Sequence, residues 1–157
     1  MTIYRRVNLK NKQKITTAFP MLSDKYWEES PLFKVRCISI WDSWLFETNT
    51  PNLLGDATDE QEQEWEKILN RFHYTILDSY DVYLKANRKG IFKEIVNKHK
   101  ALDRLSGFMF EFFIPDIKVI YSVGYDFTAH VYFQDTQLAD SFFQLIENSE
   151  LNFLNES

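Results

Sequence analysis

The sequence predicts an α+β domain, in which an antiparallel sheet carries helices packed mainly on one of its faces. Three observations support this prediction. Apolar residues recur at helical spacing between residues 58 and 106, alternate at strand spacing between residues 108 and 133, and return to helical spacing after residue 135. Separate runs of helices and strands along one chain are typical of the α+β class.

Two short strands are expected in the first third of the chain. Residues 3–9 can form one strand, and residues 34–41, which alternate partly between apolar and polar side chains, can form another. Turn-forming residues follow at positions 49–52 and 54–56 and separate these strands from the first strong helical pattern.

Two helices are predicted next. Thr58 or Asp59 can cap the first helix, and its apolar stripe runs from Trp65 to Tyr83. Residues 87–90 are expected to end it, because Gly90 can adopt the left-handed conformation of a helix C-cap. The second helix is expected from residue 91 to residue 105, with His99 on its apolar face.

A three-stranded meander and a last helix complete the predicted fold. The strands are expected near residues 108–113, 117–123 and 127–133, joined by turns around residues 114–116 and 124–126. Asp135 or Thr136 can then cap the last helix. Its expected core residues are Leu138, Phe142, Leu145 and Ile146. Residues 148–157 are expected to form a polar tail of a single domain that spans residues 1–157.

The composition predicts a well-packed core and a cytoplasmic location. Hydrophobic residues make up 45% and aromatic residues 17% of the 157 residues, which is enough to offset the entropy lost on ordering the chain. The first residues lack an apolar signal-peptide core, and no run of about 18 apolar residues is present to span a membrane. The single cysteine, Cys37, is expected to be buried among apolar neighbours and chemically inert.

Charges are distributed unevenly along the chain. The formal net charge of −5 argues against general nucleic-acid binding. Residues 1–14 nevertheless carry five cations and no acid, and residues 67–104 carry nine cations and four acids. Acidic residues are dense between Asp56 and Glu66. Such patterning bears on the choice of partner rather than on the fold.

The motifs of common catalytic sites are missing. His73, His99 and His130 lack metal-binding spacing, and the sequence has no nucleophile elbow, P-loop or glycine-rich dinucleotide motif. We therefore expect no catalytic residue, no metal and no cofactor. His130 is expected to project beside Thr128 and Tyr132, where it has either a plain surface role or the role of a proton carrier.

A protein-binding surface is predicted from clustered acids and loop aromatics. Carboxylates steer a basic partner, and Tyr and Trp dominate binding hot spots. The predicted partner-binding residues are Asp59, Glu60, Glu62, Glu64, Trp44, Tyr125 and Asp126. The alternative is that the acids are a solvated helix start and the aromatics the rim of the core.

A basic stripe is predicted on the second helix, opposite its apolar face. It consists of Lys89, Lys93, Lys100 and Arg104. Such a stripe can follow a phosphate backbone, although an ordinary solvated helix face gives the same pattern.

The profile as a whole resembles that of bacterial immunity proteins of contact-dependent growth inhibition and other polymorphic toxin systems. The shared traits are small size, a single domain, a cytosolic location and acidity. The resemblance implies binding to a basic, nuclease-type toxin and occlusion of its active site. Two alternatives stay open: a small enzyme or ligand-binding domain using Tyr121, His130 and Tyr132, and a nucleic-acid-associated regulator using the basic stripe.

Overall fold

An eight-stranded antiparallel sheet is the framework of the chain in the computed structural model, which describes residues 2–44, 54–86, 90–124 and 126–155. In chain order the strands are Tyr4–Arg6 (β1), Lys34–Ser39 (β2), Tyr83–Lys85 (β3), Phe92–Ile95 (β4), Phe110–Ile114 (β5), Val119–Val123 (β6), Thr128–Phe133 (β7) and Asn152–Phe153 (β8). Their order across the sheet is β1-β4-β3-β5-β6-β7-β2-β8. The predicted α+β class is confirmed.

Four α-helices flank the sheet within the described residues. They are Leu9–Ala18 (α1), Asp59–Ser79 (α2), Lys98–Leu105 (α3) and Thr136–Glu147 (α4). Side chains of α2, α3 and α4 share one core with β5, β6 and β7. Helix α1 and the 3₁₀ turn Pro20–Ser23 pack on the opposite face, together with the turn Trp27–Glu29. Helices therefore lie mainly on one face, as predicted.

The predicted meander of β5, β6 and β7 is confirmed, and its central strands are buried on both faces. The register pairs Phe112 with Tyr121 and Phe113 with Ile120, and all four side chains are 0% exposed. Tyr121 belongs to the core under α2 and α4, whereas Ile120 belongs to the core under α1. Because both sets of alternating side chains are apolar, this part of the sheet is covered on both sides.

The predicted first helix is too long. Helix α2 ends at Ser79, Tyr80 has an extended backbone, and Tyr83 is a buried strand residue rather than part of a helical stripe. The physical reason is tertiary: β3 lies between β4 and β5, so its backbone groups gain sheet partners on both sides. Local helix propensity is too weak to compete with that pairing.

The predicted second helix begins seven residues too early. Residues 92–95 form β4, in which Phe92 packs edge to face on Phe113 with ring centroids 5.6 Å apart. Helix α3 starts only after Asn97, whose side chain accepts a hydrogen bond from the backbone N–H of Lys100 at 3.0 Å. His99, expected on the apolar face, is exposed.

Helix α1 is not among the predicted elements. The basic segment at residues 1–14, which includes part of this helix, forms ion pairs with acids elsewhere in the fold. Lys14 Nζ lies 2.5 Å from Asp116 Oδ1, and Arg5 Nε lies 2.6 Å from Glu94 Oε1. Part of this positive charge is therefore matched inside the fold.

Helix α4 begins after Asp135, as predicted, because the Asp135 side chain accepts from the backbone N–H of Leu138 at 3.0 Å. Leu138 itself is 40% exposed rather than buried. Phe143 is buried instead, against Phe133 with ring centroids 5.0 Å apart. The buried face of α4 is thus rotated relative to the predicted one, since it also packs on β7.

The C-terminal residues are more ordered than a polar tail. Residues 152–153 form β8 and pair with Ile38 and Ser39 of β2. Leu151 and Leu154 are both buried on either side of this strand. The segment therefore closes one edge of the sheet.

A capping box fixes the start of α2. The Thr58 side chain accepts from the backbone N–H of Gln61 at 3.1 Å, and the Gln61 side chain accepts from the backbone N–H of Thr58 at 2.9 Å. Two donors that the helix leaves unpaired are thereby satisfied. The acids that follow lie at the positive end of the helix dipole.

Thr58→Ala should lower the free energy of unfolding by about 1 kcal/mol, because it removes the acceptor for the Gln61 N–H. Thr17→Ala, at an exposed position of α1, is the matched control and should change that energy by less than about 0.5 kcal/mol. Urea denaturation measures both variants. Equal losses would show that the cap contributes nothing specific.

Candidate functional site

The first turns of α2 present an acidic surface formed by Asp59, Glu60, Glu62 and Glu64, all of which are exposed. Among the described residues, Glu64 is the one member with an ion pair, between its Oε2 and Lys67 Nζ at 3.8 Å. A pair this exposed contributes little to stability. The carboxylates of the acidic surface are thus mostly left to solvent or to an external cation.

An aromatic cluster joins the acidic surface to the loop before β7. Trp41 packs edge to face on Trp65 of α2, with centroids 4.9 Å apart, and Trp65 packs on Phe127 at 5.6 Å. The Trp41 indole also donates to the backbone carbonyl of Asp126 at 2.9 Å. Asp126 is therefore held on the same side of the molecule as the start of α2.

An open groove of about 940 Å³ runs along α2, beside the turn that follows α3. The acids of α2 that follow one another at helical spacing line one side of the groove. Phe127 and the turn after α3 line the other side. The lining includes Asp59, Glu62, Glu66, Lys67, Asn70, Ser106, Gly107 and Phe127. Glu60 and Glu64, which lie elsewhere on the helix surface, do not line it.

A small inner cavity of about 20 Å³ adjoins the groove and reaches His73 in the core. Glu66, Asn70 and Ser106 line both spaces. Ser106 Oγ donates to Glu66 Oε2 at 2.9 Å, and Asn70 Nδ2 donates to Ser106 Oγ at 3.4 Å. A chain of polar groups therefore leads from the surface towards His73.

His73 is 1% exposed and sits among aromatic rings. Its Nε2 lies 2.9 Å from the Tyr121 hydroxyl, and its Nδ1 has no hydrogen-bond partner among the described residues. Burial lowers the pKa of His73 to about 3 and raises the pKa of Tyr121. Both groups are consequently neutral at pH 7.

Phe127 holds a strained backbone at the boundary between groove and core. Its φ of 62° is in the left-handed region, where a bulky side chain costs roughly 1–3 kcal/mol. The Phe127 carbonyl accepts from Ser39 Oγ at 2.9 Å, and its ring is clamped by Trp41 and Trp65. These contacts hold the ring in the wall of the groove.

The structure does not bring Trp44 into this site, and Tyr125 lies outside the described residues. The Trp44 indole donates to the Asn155 carbonyl at 2.6 Å. Trp44 lines a separate open pocket of about 640 Å³ with Cys37 and His130. The Cys37 side chain points away from α2 and α4, because its neighbour Ile38 belongs to the core under those helices.

Cys37 is half-buried, so the prediction that it is buried among apolar neighbours is wrong. The register places Cys37 directly opposite His130 on the neighbouring strand. Opposite residues of antiparallel strands have Cβ atoms about 4.5–5.5 Å apart. His130 is half-buried and stacks on Tyr132, so it projects beside Tyr132 as predicted.

The predicted basic stripe does not form on one helix. Lys93 lies in β4 with its Nζ 4.1 Å from the centre of the Tyr4 ring, whereas Lys100 and Arg104 lie on α3. Lys89 falls outside the described residues. The predicted stripe required a continuous helix from residue 91. Because residues 92–95 form strand β4, Lys93 does not share a helix face with Lys100 and Arg104.

The polar stripe of α2 is not among the predicted site residues. Glu62, Glu66, Asn70 and His73 follow one another at spacings of four, four and three, so they lie along one side of the helix. This spacing was visible in the sequence. The spacing alone does not predict a site, because the packing of Ser106 against α2 joins segments that are distant in sequence.

Two kinds of feature are absent from the ranges 2–44, 54–86, 90–124 and 126–155. No three His, Cys, Asp or Glu side chains there converge in a way that suits a metal ion. No helix there has both the length and the apolar character that crossing a membrane requires.

Comparisons of the chain with protein-family models, curated proteins and solved structures found no match. The acidic surface, the groove and the inner cavity are therefore the observations that bear on function.

His73 should make the fold less stable in acid. The unfolded chain takes up a proton near pH 6.5, whereas the folded chain does so only near pH 3, so protons favour the unfolded state between these values. The free energy of unfolding should fall by up to about 1.4 kcal/mol per pH unit below pH 6.5 from this group alone.

His73→Gln should remove that contribution and flatten the dependence of unfolding free energy on pH, whatever its effect on stability at pH 7. His99→Gln, the same change at an exposed histidine, is measured alongside as the control. Urea denaturation at several pH values compares the three proteins. An unchanged slope in His73→Gln would mean that His73 titrates alike in the folded and unfolded states.

Proposed function

We propose that this chain is a non-catalytic, protein-binding domain of the cytoplasm that neutralises a cognate toxin, as immunity proteins do. In this proposal the acidic surface binds cations around the active-site cleft of a basic, nuclease-type toxin. The bound domain then blocks access of the substrate to that cleft.

The main support is the unmatched charge of the acidic surface. Its four carboxylates are exposed on a capped helix, and within the described chain they have a single weak ion pair. Two cations of the N-terminal segment, Arg5 and Lys14, by contrast form ion pairs with acids of the same fold. Like charges gathered on a rigid helix raise the rate of association with an oppositely charged partner.

The rigidity of the surface gives further support. Trp65 anchors α2 to Trp41 and Phe127, and the capping box holds its first turn. A surface that is ordered before binding loses less entropy when the complex forms. The exposed side chain of Phe108 lines the inner cavity and adds apolar contact area beside the groove.

The test is binding to the product of any adjacent toxin-like gene, measured as association rate at low and high salt. Glu60→Lys/Glu62→Lys should lower the association rate at low salt by about tenfold or more. Asp140→Lys/Glu147→Lys makes the same change of charge on exposed α4 positions and should alter the rate by less than about threefold. Equal effects would show that only net charge matters, and no binding by the wild type would remove the proposal.

A second candidate function rests on the pairing of Cys37 with His130. These residues face each other across β2 and β7 in the pocket that also contains Trp44. A thiol beside an imidazole is a reactive arrangement in many sites that bind or transform small molecules. We propose this pocket as the ligand-binding alternative.

Alkylation of Cys37 by iodoacetamide across a range of pH tests this alternative. If the imidazole stabilises the thiolate, the rate should rise with a midpoint below the ordinary thiol pKa of about 8.5. His130→Gln should move that midpoint upward, whereas His99→Gln should leave it in place. Superimposable profiles for all three proteins would exclude a functional pair.

A further inference from the structure

The inner cavity joins a charged groove to an unsatisfied nitrogen in the core. Glu66, Asn70 and Ser106 line both spaces, and the Nδ1 of His73 has no partner among the described residues although His73 is 1% exposed. Leaving a buried polar atom without a partner is energetically unfavourable. The cavity is thus suited to a ligand that supplies a hydrogen bond to this atom.

The charges of the lining favour a cation. Asp59, Glu62 and Glu66 face the groove, and Lys67 is the single basic residue that lines it among those described. His73 does not oppose a cation, because burial lowers its pKa to about 3 and leaves the imidazole neutral. In the tautomer whose Nε2–H donates to Tyr121, Nδ1 carries a lone pair that can accept a hydrogen bond.

The dimensions favour a primary ammonium over a guanidinium. A space of about 20 Å³ has room for roughly one water-sized group. An ammonium group is compact and has three donors, whereas a guanidinium is planar and larger. The rings of Phe108, Phe110 and Phe127 line the cavity and can contact a methylene stem.

We propose that the groove and inner cavity form a receptor for the ammonium group of a lysine side chain from the protein partner. The stem lies against Phe108 and Phe127, and the ammonium donates to Glu66 and to His73 Nδ1. The assignment to a partner lysine rests on the proposed function, whereas the ammonium site itself can be tested without the partner.

The test is titration of the isotopically labelled full chain with n-butylammonium, a lysine stem without its backbone, followed by NMR signals of His73 and Asn70. A saturable shift with a Kd in the millimolar range is expected for so small a ligand. n-Butylguanidinium and the neutral isostere 1-butanol should bind at least about tenfold more weakly. Equal binding of 1-butanol, or no shift at His73, overturns the receptor.

Two single variants identify the charge responsible. Glu66→Gln keeps an oxygen that can accept from Ser106 but removes the charge, and it should weaken butylammonium binding about tenfold. Glu147→Gln makes the same change at an exposed position of α4 outside the groove and the inner cavity, and it should alter the Kd by less than about twofold. Equal effects of the two variants overturn the proposed site.

A third ligand distinguishes the source of the ammonium. Free 1,5-diaminopentane should bind no more than about tenfold more tightly than butylammonium if the natural ligand is a protein side chain. Micromolar affinity would assign the site to small amines and overturn the assignment to a partner lysine. If butylammonium fails to bind while the toxin domain still associates, the receptor is wrong and the proposed function stands.

Discussion

The burial of the central strands on both faces is the constraint on which the rest of the structure depends. Phe112 and Phe113 are neighbours in β5 and are both 0% exposed, although they point to opposite sides. Such a strand can be stable only if each side is covered by other elements. Helices α2 and α4 cover one side, and α1 with its adjoining 3₁₀ turns covers the other.

The candidate site is a consequence of how α2 is fixed on this sheet. The Trp41–Trp65 contact holds its beginning, and the His73–Tyr121 hydrogen bond holds its middle. Between these two points the helix turns its polar side towards Ser106 after α3. The groove, the inner cavity and the strained Phe127 therefore all lie along a single, firmly held helix.

Charge is segregated by the fold as well as by the sequence. Lys14 and Arg5 form ion pairs with acids on other elements. Among the described residues, the acids at the start of α2 have a single ion pair, between Glu64 and Lys67. The neutral state of His73 adds no positive charge beneath the groove. Negative charge is therefore concentrated on this side of the molecule, which the formal net charge of −5 does not show.

The sequence by itself determined the α+β class, the meander, the start of α2 near residues 58–59 and the exposure of its acids. Those features depend on local periodicity and capping, which a single segment carries. Only the tertiary structure decided that residues 83–85 and 92–95 are strands, because their sheet partners are distant in sequence. The same reason explains why the His73–Tyr121 hydrogen bond and the placement of Cys37 opposite His130 were not predicted, since each needs two segments that are distant in sequence.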